Sequence, residues 1–136
     1  MFPISDVIPS RTRPVVTMTL VALNTLIFLY QFTLSDEALQ RLVFDMAVIP
    51  AAFSIQDLVT SLFLHSDLLH FAGNMVFLWI FGDNVEDRLG HGKYGLFYLV
   101  AGSVAAVAQV VADPLSRAPM IGASGAIAAI MGAYFV

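Results

Sequence analysis

The chain contains no cysteine, which excludes disulfides and thiolate metal sites. Charge is scarce as well: Asp, Glu, Lys and Arg make up 12% of the residues, about half of what a soluble domain carries. So little charge cannot wet the surface of a globule. The net charge is −4, with no basic stripe, so the chain offers no electrostatic footprint for nucleic acid. No cleavable signal peptide is expected either. Asp6 and the prolines Pro3 and Pro9 precede Arg11 and Arg13, and the apolar run that follows is too long for a signal and lacks a small-residue cleavage site.

What fills the chain instead is hydrocarbon. Hydrophobic residues make up 59% of it and the mean hydropathy is +0.84, which points to lipid as the solvent. The apolar runs predict an all-α, multi-pass membrane protein built as one domain over residues 1–136. Spans are expected at 14–34, 68–84, 94–112 and 122–136. Asn24 and Gln31 are the polar interruptions of the first. Between the first two spans, residues 35–67 read as an outer loop at the membrane interface. It opens with a short helix that Ser35 caps and Asp36 and Glu37 favour in the first turn. The second span is expected to end in a polar cluster around Asp83 to Arg88. In the third, Ala101 with Ala105 and Gly102 with Ala106 form small pairs that let helices approach closely. The last apolar stretch has twelve residues after Ser124, ~18 Å of helix, short of the ~30 Å hydrocarbon core. The last span is therefore expected to be incomplete. Arg11, Arg13, Arg88 and Lys93 fall on one side and Arg41 and Arg117 on the other, favouring a cytoplasmic N-terminus.

That topology brings His70, at the start of the second span, and Ser124, at the start of the last, to the same membrane face. Asn74 lies four residues after His70 on the same helical face. Each has an ordinary role open to it. An isolated serine commonly bonds back to its own helix, an Asn holds helices together, and a histidine at a span's entrance can sit at the interface. Their meeting at one depth is harder to assign to packing. Ser124 sits in Gly122-Ala123-Ser124-Gly125, where glycines admit a close backbone and a helix start offers free N–H groups to an oxyanion. Gly122, Gly125, Ala129 and Ala133 also form a packing stripe. His91, in Gly90-His91-Gly92, reads as a solvated loop histidine. The histidines have no acidic partner at ligand spacing, so no metal site is expected.

Taken together, Gly122-Ala123-Ser124-Gly125, His70-x-x-x-Asn74, His65 and Glu86-x-Arg88-Leu89-Gly90 resemble the rhomboid family of intramembrane serine proteases. The similarity runs from about Val48 to Val136. The resemblance implies a helical bundle of rhomboid type in which about four of six or more spans are present. It implies Ser124 as nucleophile, His70 and Asn74 as oxyanion donors, His65 as a cavity-lining residue, and a structural role for Glu86 and Arg88. The Trp-Arg pair that many members carry in the first outer loop is absent. The family's general base, a histidine two spans after the serine, has no counterpart in this chain, though the residues alone leave His70 open as a base. The implied activity is endopeptidase cleavage of transmembrane protein substrates in the lipid bilayer without a cofactor, in the inner membrane of a prokaryote. The competing readings are a non-proteolytic relative that binds membrane clients, and a transporter or channel fragment.

Overall fold

The structure, a computed structural model, describes residues 11–136. The expectation of no cleavable signal peptide rests largely on the first ten residues, which lie outside the described residues. The elements are α1 (Val15–Thr33), α2 (Asp36–Met46), α3 (Asp57–Thr60), α4 (Leu68–Leu89), α5 (His91–Ala112) and α6 (Ser124–Tyr134). Single 3-10 turns stand at Pro50–Ala52 and Ser61–Phe63. α4 lies at the centre and packs against α1, α5 and α6, while α5 also lies along α6. Among the described residues, α1 and α5 are long and apolar enough to cross a membrane.

The burial pattern of α1 is that of a helix in lipid. Thr17, Asn24 and Gln31 recur every seven residues and are all buried, on one face of a 3.6-residue helix. Leu26, Leu29 and Phe32 point outward and are more than half exposed. Val100, Val104 and Val111 do the same on α5. Polar groups thus face the bundle and hydrocarbon faces the surroundings.

α1 begins after Pro14 without a capping side chain of its own. Its free N–H groups are taken by Glu86 from the last turn of α4. One carboxylate oxygen accepts from Val16 N at 2.8 Å; the other accepts from Thr17 N at 2.8 Å and Thr17 Oγ1 at 2.7 Å. His91, the first residue of α5, brings Nδ1 to 2.5 Å from Glu86 Oε1. With the Thr17 hydrogen given to Glu86, Tyr94 OH, 3.1 Å from Thr17 Oγ1, donates to it. A fully buried carboxylate is tolerated only when paired and bonded, and here the starts of two other helices, α1 and α5, supply the partners.

This arrangement corrects two expectations. α4 does not stop at residue 84 but runs through the polar cluster to Leu89, because Glu86 and Asn84 are buried rather than solvated. His91 is not a free loop histidine: it opens α5 and pairs with Glu86. Gly90 alone joins the two helices, with φ 79°, a conformation costly for any residue with a Cβ.

The expected helix after Ser35 is present. Ser35 Oγ accepts from Ala38 N at 3.3 Å, and Arg41 pairs with Glu37 one turn back. The remainder of the 35–67 segment folds inward, burying Ala47, Val48, Leu62 and Leu64.

Candidate active site

Ser124 is the first residue of α6, preceded by Ala123, which has no side-chain oxygen to cap the helix. The leading N–H groups of α6 therefore have no intrahelical acceptor and no side-chain cap. The loop that delivers Ser124 is held from both sides. Met120 forms an antiparallel bridge with Val48, their N–H to O distances being 2.9 and 3.1 Å, and Ala51 N donates to Ser116 O at 3.0 Å. Gly122 N donates to Ser61 O at 2.8 Å.

Gly122 has φ 116°, outside the range open to residues with side chains. The space a Cβ would take is filled by His70: such an atom would stand 2.6 Å from Cε1 and 2.7 Å from Nε2. The imidazole of α4 thus lies against the backbone two residues before Ser124. Asn74, one turn further along α4, is buried, and its Nδ2 has no protein partner. A buried donor without an acceptor is rare and calls for a water or a ligand.

His65 is 1% exposed, and neither ring nitrogen has a protein partner. Its ring packs edge-on against Phe28 and Phe71 and lies 5.2 Å from the His70 ring, centroid to centroid. Its backbone is fixed by Gln31 of α1, which donates to His65 O at 2.9 Å and accepts from His65 N at 3.2 Å. Burial pushes the His65 imidazole down to about 4, and neighbouring His70 adds to the effect. It is therefore neutral at physiological pH. It lines a cavity of about 300 Å³ with Phe28, Phe32, Leu39 and Leu68.

A second cavity, about 140 Å³, opens beside Ser124. Gly102, Ala105 and Ala106 of α5 wall one side, and Met120, Gly122 and Gly125 another, with Ser61 completing it. His70 and Asn74 are not among its walls. Ser61 was not singled out in the sequence: a serine in a short apolar stretch carries no signal of its own. Its partner Gly122 lies far along the chain, and only the fold brings the two together. Gly125 and Gly102 hold α6 tightly to α5. A Cβ on Gly125 would stand 2.6 Å from Ala105 Cβ, and one on Gly102 would stand 3.3 Å from Ala126 Cβ. The small residues expected to let helices approach do so here.

The family model described as Rhomboid domain matches residues 52–136, more than half of the chain. The chain belongs to the rhomboid family. Rhomboid protease GluP of Bacillus subtilis (strain 168) is 41% identical over 76 residues, which are 56% of this chain and 14% of that protein. RHOMBOID-like protein 6, mitochondrial, of Arabidopsis thaliana is 34% identical over 76 residues, covering 56% of this chain and 24% of that one. Presenilin-associated rhomboid-like protein, mitochondrial, of Homo sapiens is 33% identical over 78 residues, again 56% of this chain and 21% of the relative. The matched part is thus less than a quarter of the length of each of these rhomboid proteins. The rhomboid family is membrane-integral, and the apolar outer faces of α1 and α5 accord with that.

Proposed function

We propose that the chain carries the nucleophile and oxyanion site of an intramembrane serine endopeptidase that cleaves transmembrane segments of other membrane proteins. The observation that carries this reading is the imidazole of His70 seated on Gly122, two residues before a serine that opens an uncapped helix. Ser124 Oγ attacks the scissile carbonyl. The oxyanion that forms is met by His70, Asn74 and the leading N–H groups of α6, donors fixed before the substrate arrives. The unpartnered Nδ2 of Asn74 suits that task. A substrate helix must unwind locally, since its carbonyls are otherwise bonded within the helix.

A serine hydroxyl needs a base to remove its proton. The resemblance puts that base on a histidine two spans beyond Ser124, and none of His65, His70 and His91 occupies that place. In this reading the four apolar helical segments span the bilayer as one rhomboid-like domain. The end bearing Arg11, Arg13, Arg88 and Lys93 faces the cytoplasm of a prokaryotic cell. His65 contributes a neutral, cavity-lining wall beside His70.

The experiment is cleavage of a transmembrane substrate, with labelling by a serine-directed phosphonate, in the full-length protein and its Ser124→Ala variant. Both activities are expected to vanish in the variant. Full cleavage without Ser124 removes the nucleophile assignment, and client binding without cleavage in either protein favours a non-proteolytic rhomboid.

A further inference from the structure

Behind His70 runs a short hydrogen-bond chain with a fixed direction. Asp67 caps α4, its Oδ1 accepting from His70 N at 2.8 Å. Its Oδ2 lies 2.8 Å from Ser66 Oγ, and Ser66 Oγ lies 3.1 Å from His70 Nδ1. The His70 N–H and the Ser66 hydroxyl together hold the Asp67 carboxyl below the ordinary carboxylate range, so it is ionised at neutral pH. An ionised carboxylate only accepts hydrogen bonds, and a serine hydroxyl has one hydrogen to give. That hydrogen is committed to Asp67, so Ser66 meets Nδ1 with a lone pair. Nδ1 must then carry the hydrogen and donate it, and the Nε2 of a neutral His70 is left bare.

The bare nitrogen lies on the edge of the ring that rests on Gly122. We propose that Ser66 and Asp67 are positioning residues that hold His70 in its Nδ1–H form and brace its imidazolium, so that His70 meets the oxyanion only after Nε2 has taken a proton from solvent. This rests on the reading of His70 as an oxyanion donor. A neutral His70 held this way turns a lone pair toward an anionic oxygen and repels it. The imidazolium turns an N–H and a positive charge toward it, and Asp67 balances that charge through Ser66. His70 keeps its proton during the reaction and makes no bond to carbon. The titratable neighbour across the ring is His65, which is neutral at physiological pH and sets no second cation against His70. The α1 residues at this corner, Phe28 and Gln31, carry no charge, and Gly122 to Ser124 bring none from the other side.

The direct test is the ring-nitrogen NMR spectrum of the chain with labelled histidine in detergent micelles. A neutral His70 is expected to show a protonated Nδ1 and a bare Nε2. Ser66→Ala removes the acceptor of Nδ1–H and is expected to shift His70 toward the Nε2–H form. Asp67→Asn keeps a good helix cap but frees the Ser66 hydrogen for Nδ1, and is expected to shift it the same way. An Nε2–H form in the unsubstituted chain, or one indifferent to both substitutions, overturns the proposal. In the full-length protein, Asp67→Asn is expected to lower kcat about tenfold with little change in KM, as loss of one charge-assisted bond does. The expected tautomer in a protein with no Ser124-dependent reactivity upholds the hydrogen-bond chain and sinks the protease reading instead.

Discussion

The ring of His70 occupies the space that a side chain at position 122 would need. Gly122 is therefore doubly constrained, by its φ of 116° and by the imidazole. Gly122→Ala is expected to destabilise the fold by about 1–3 kcal/mol from backbone strain and to push His70 from its seat. Thermal unfolding in detergent measures the first effect and loss of phosphonate labelling the second. Adding His70→Ala should relieve the clash but leave the backbone cost, so the double variant should be more stable than the sum of the singles implies. Simple additivity refutes the contact.

Gly125 and Gly102 should respond unequally to alanine. At Gly125 the obstacle is Ala105 Cβ, fixed to the backbone of α5, at 2.6 Å. At Gly102 the two nearest atoms are the Leu62 methyls, at 2.7 and 2.8 Å, which can rotate aside. Gly125→Ala is therefore expected to cost more, with overpacking of about 1–3 kcal/mol, and to displace Ser124, the residue before it. Ala105→Gly should restore both stability and labelling. A Gly102→Ala variant more damaged than Gly125→Ala contradicts the packing described.

Glu86 gathers Val16, Thr17 and His91 around one buried carboxylate. Glu86→Ala leaves those donors unanswered and is expected to cost at least about 3 kcal/mol, as removing one partner of a buried charged cluster does. Glu86→Gln keeps the shape but turns an amide toward the donors, and should fall between. Chemical denaturation in mixed micelles measures both. A Glu86→Ala protein as stable as the parent refutes the role of this carboxylate in joining the helices.

His65 makes stability depend on pH. In the unfolded chain its imidazole titrates at its ordinary value of 6.5, and in the fold at about 4. The unfolded state binds the proton first, so stability is fully present above pH 6.5 and declines as the pH falls toward 4. Unfolding midpoints measured across that window should drop on acidification. His65→Phe, which fits among Phe28 and Phe71, should flatten the decline. An equally steep profile in that variant assigns the acid sensitivity elsewhere.

The long elements were legible because charge-free runs fix where helices can cross, and α1 and α5 stand close to where those runs lie. Ser35 was legible as a cap from the two acids that follow it. The end of α4 was not, since a cluster of Asp, Asn, Glu and Arg reads as solvated loop unless a buried partner is known. The partner of Glu86 is the start of α1, about seventy residues earlier, and no local pattern announces it. His91 was misjudged for the same reason. In the candidate site, Ser124, His70, Asn74 and His65 were named from motif spacing. Ser61 and the Val48–Met120 bridge act through backbone groups that every residue possesses, and the Gln31 side-chain amide grips the main chain of a residue far along the sequence. The seven-residue stripe of Thr17, Asn24 and Gln31 was present in the sequence, and only burial showed that it faces inward.

The two ends of the bundle are fastened in different ways. At one, a single carboxylate clamps three helix termini through short, charge-assisted bonds. At the other, neutral backbone links and an amide on a histidine's main chain do the holding. Ser124 and His70 stand at this second end, so the residues of the candidate site are placed by links that carry no buried charge.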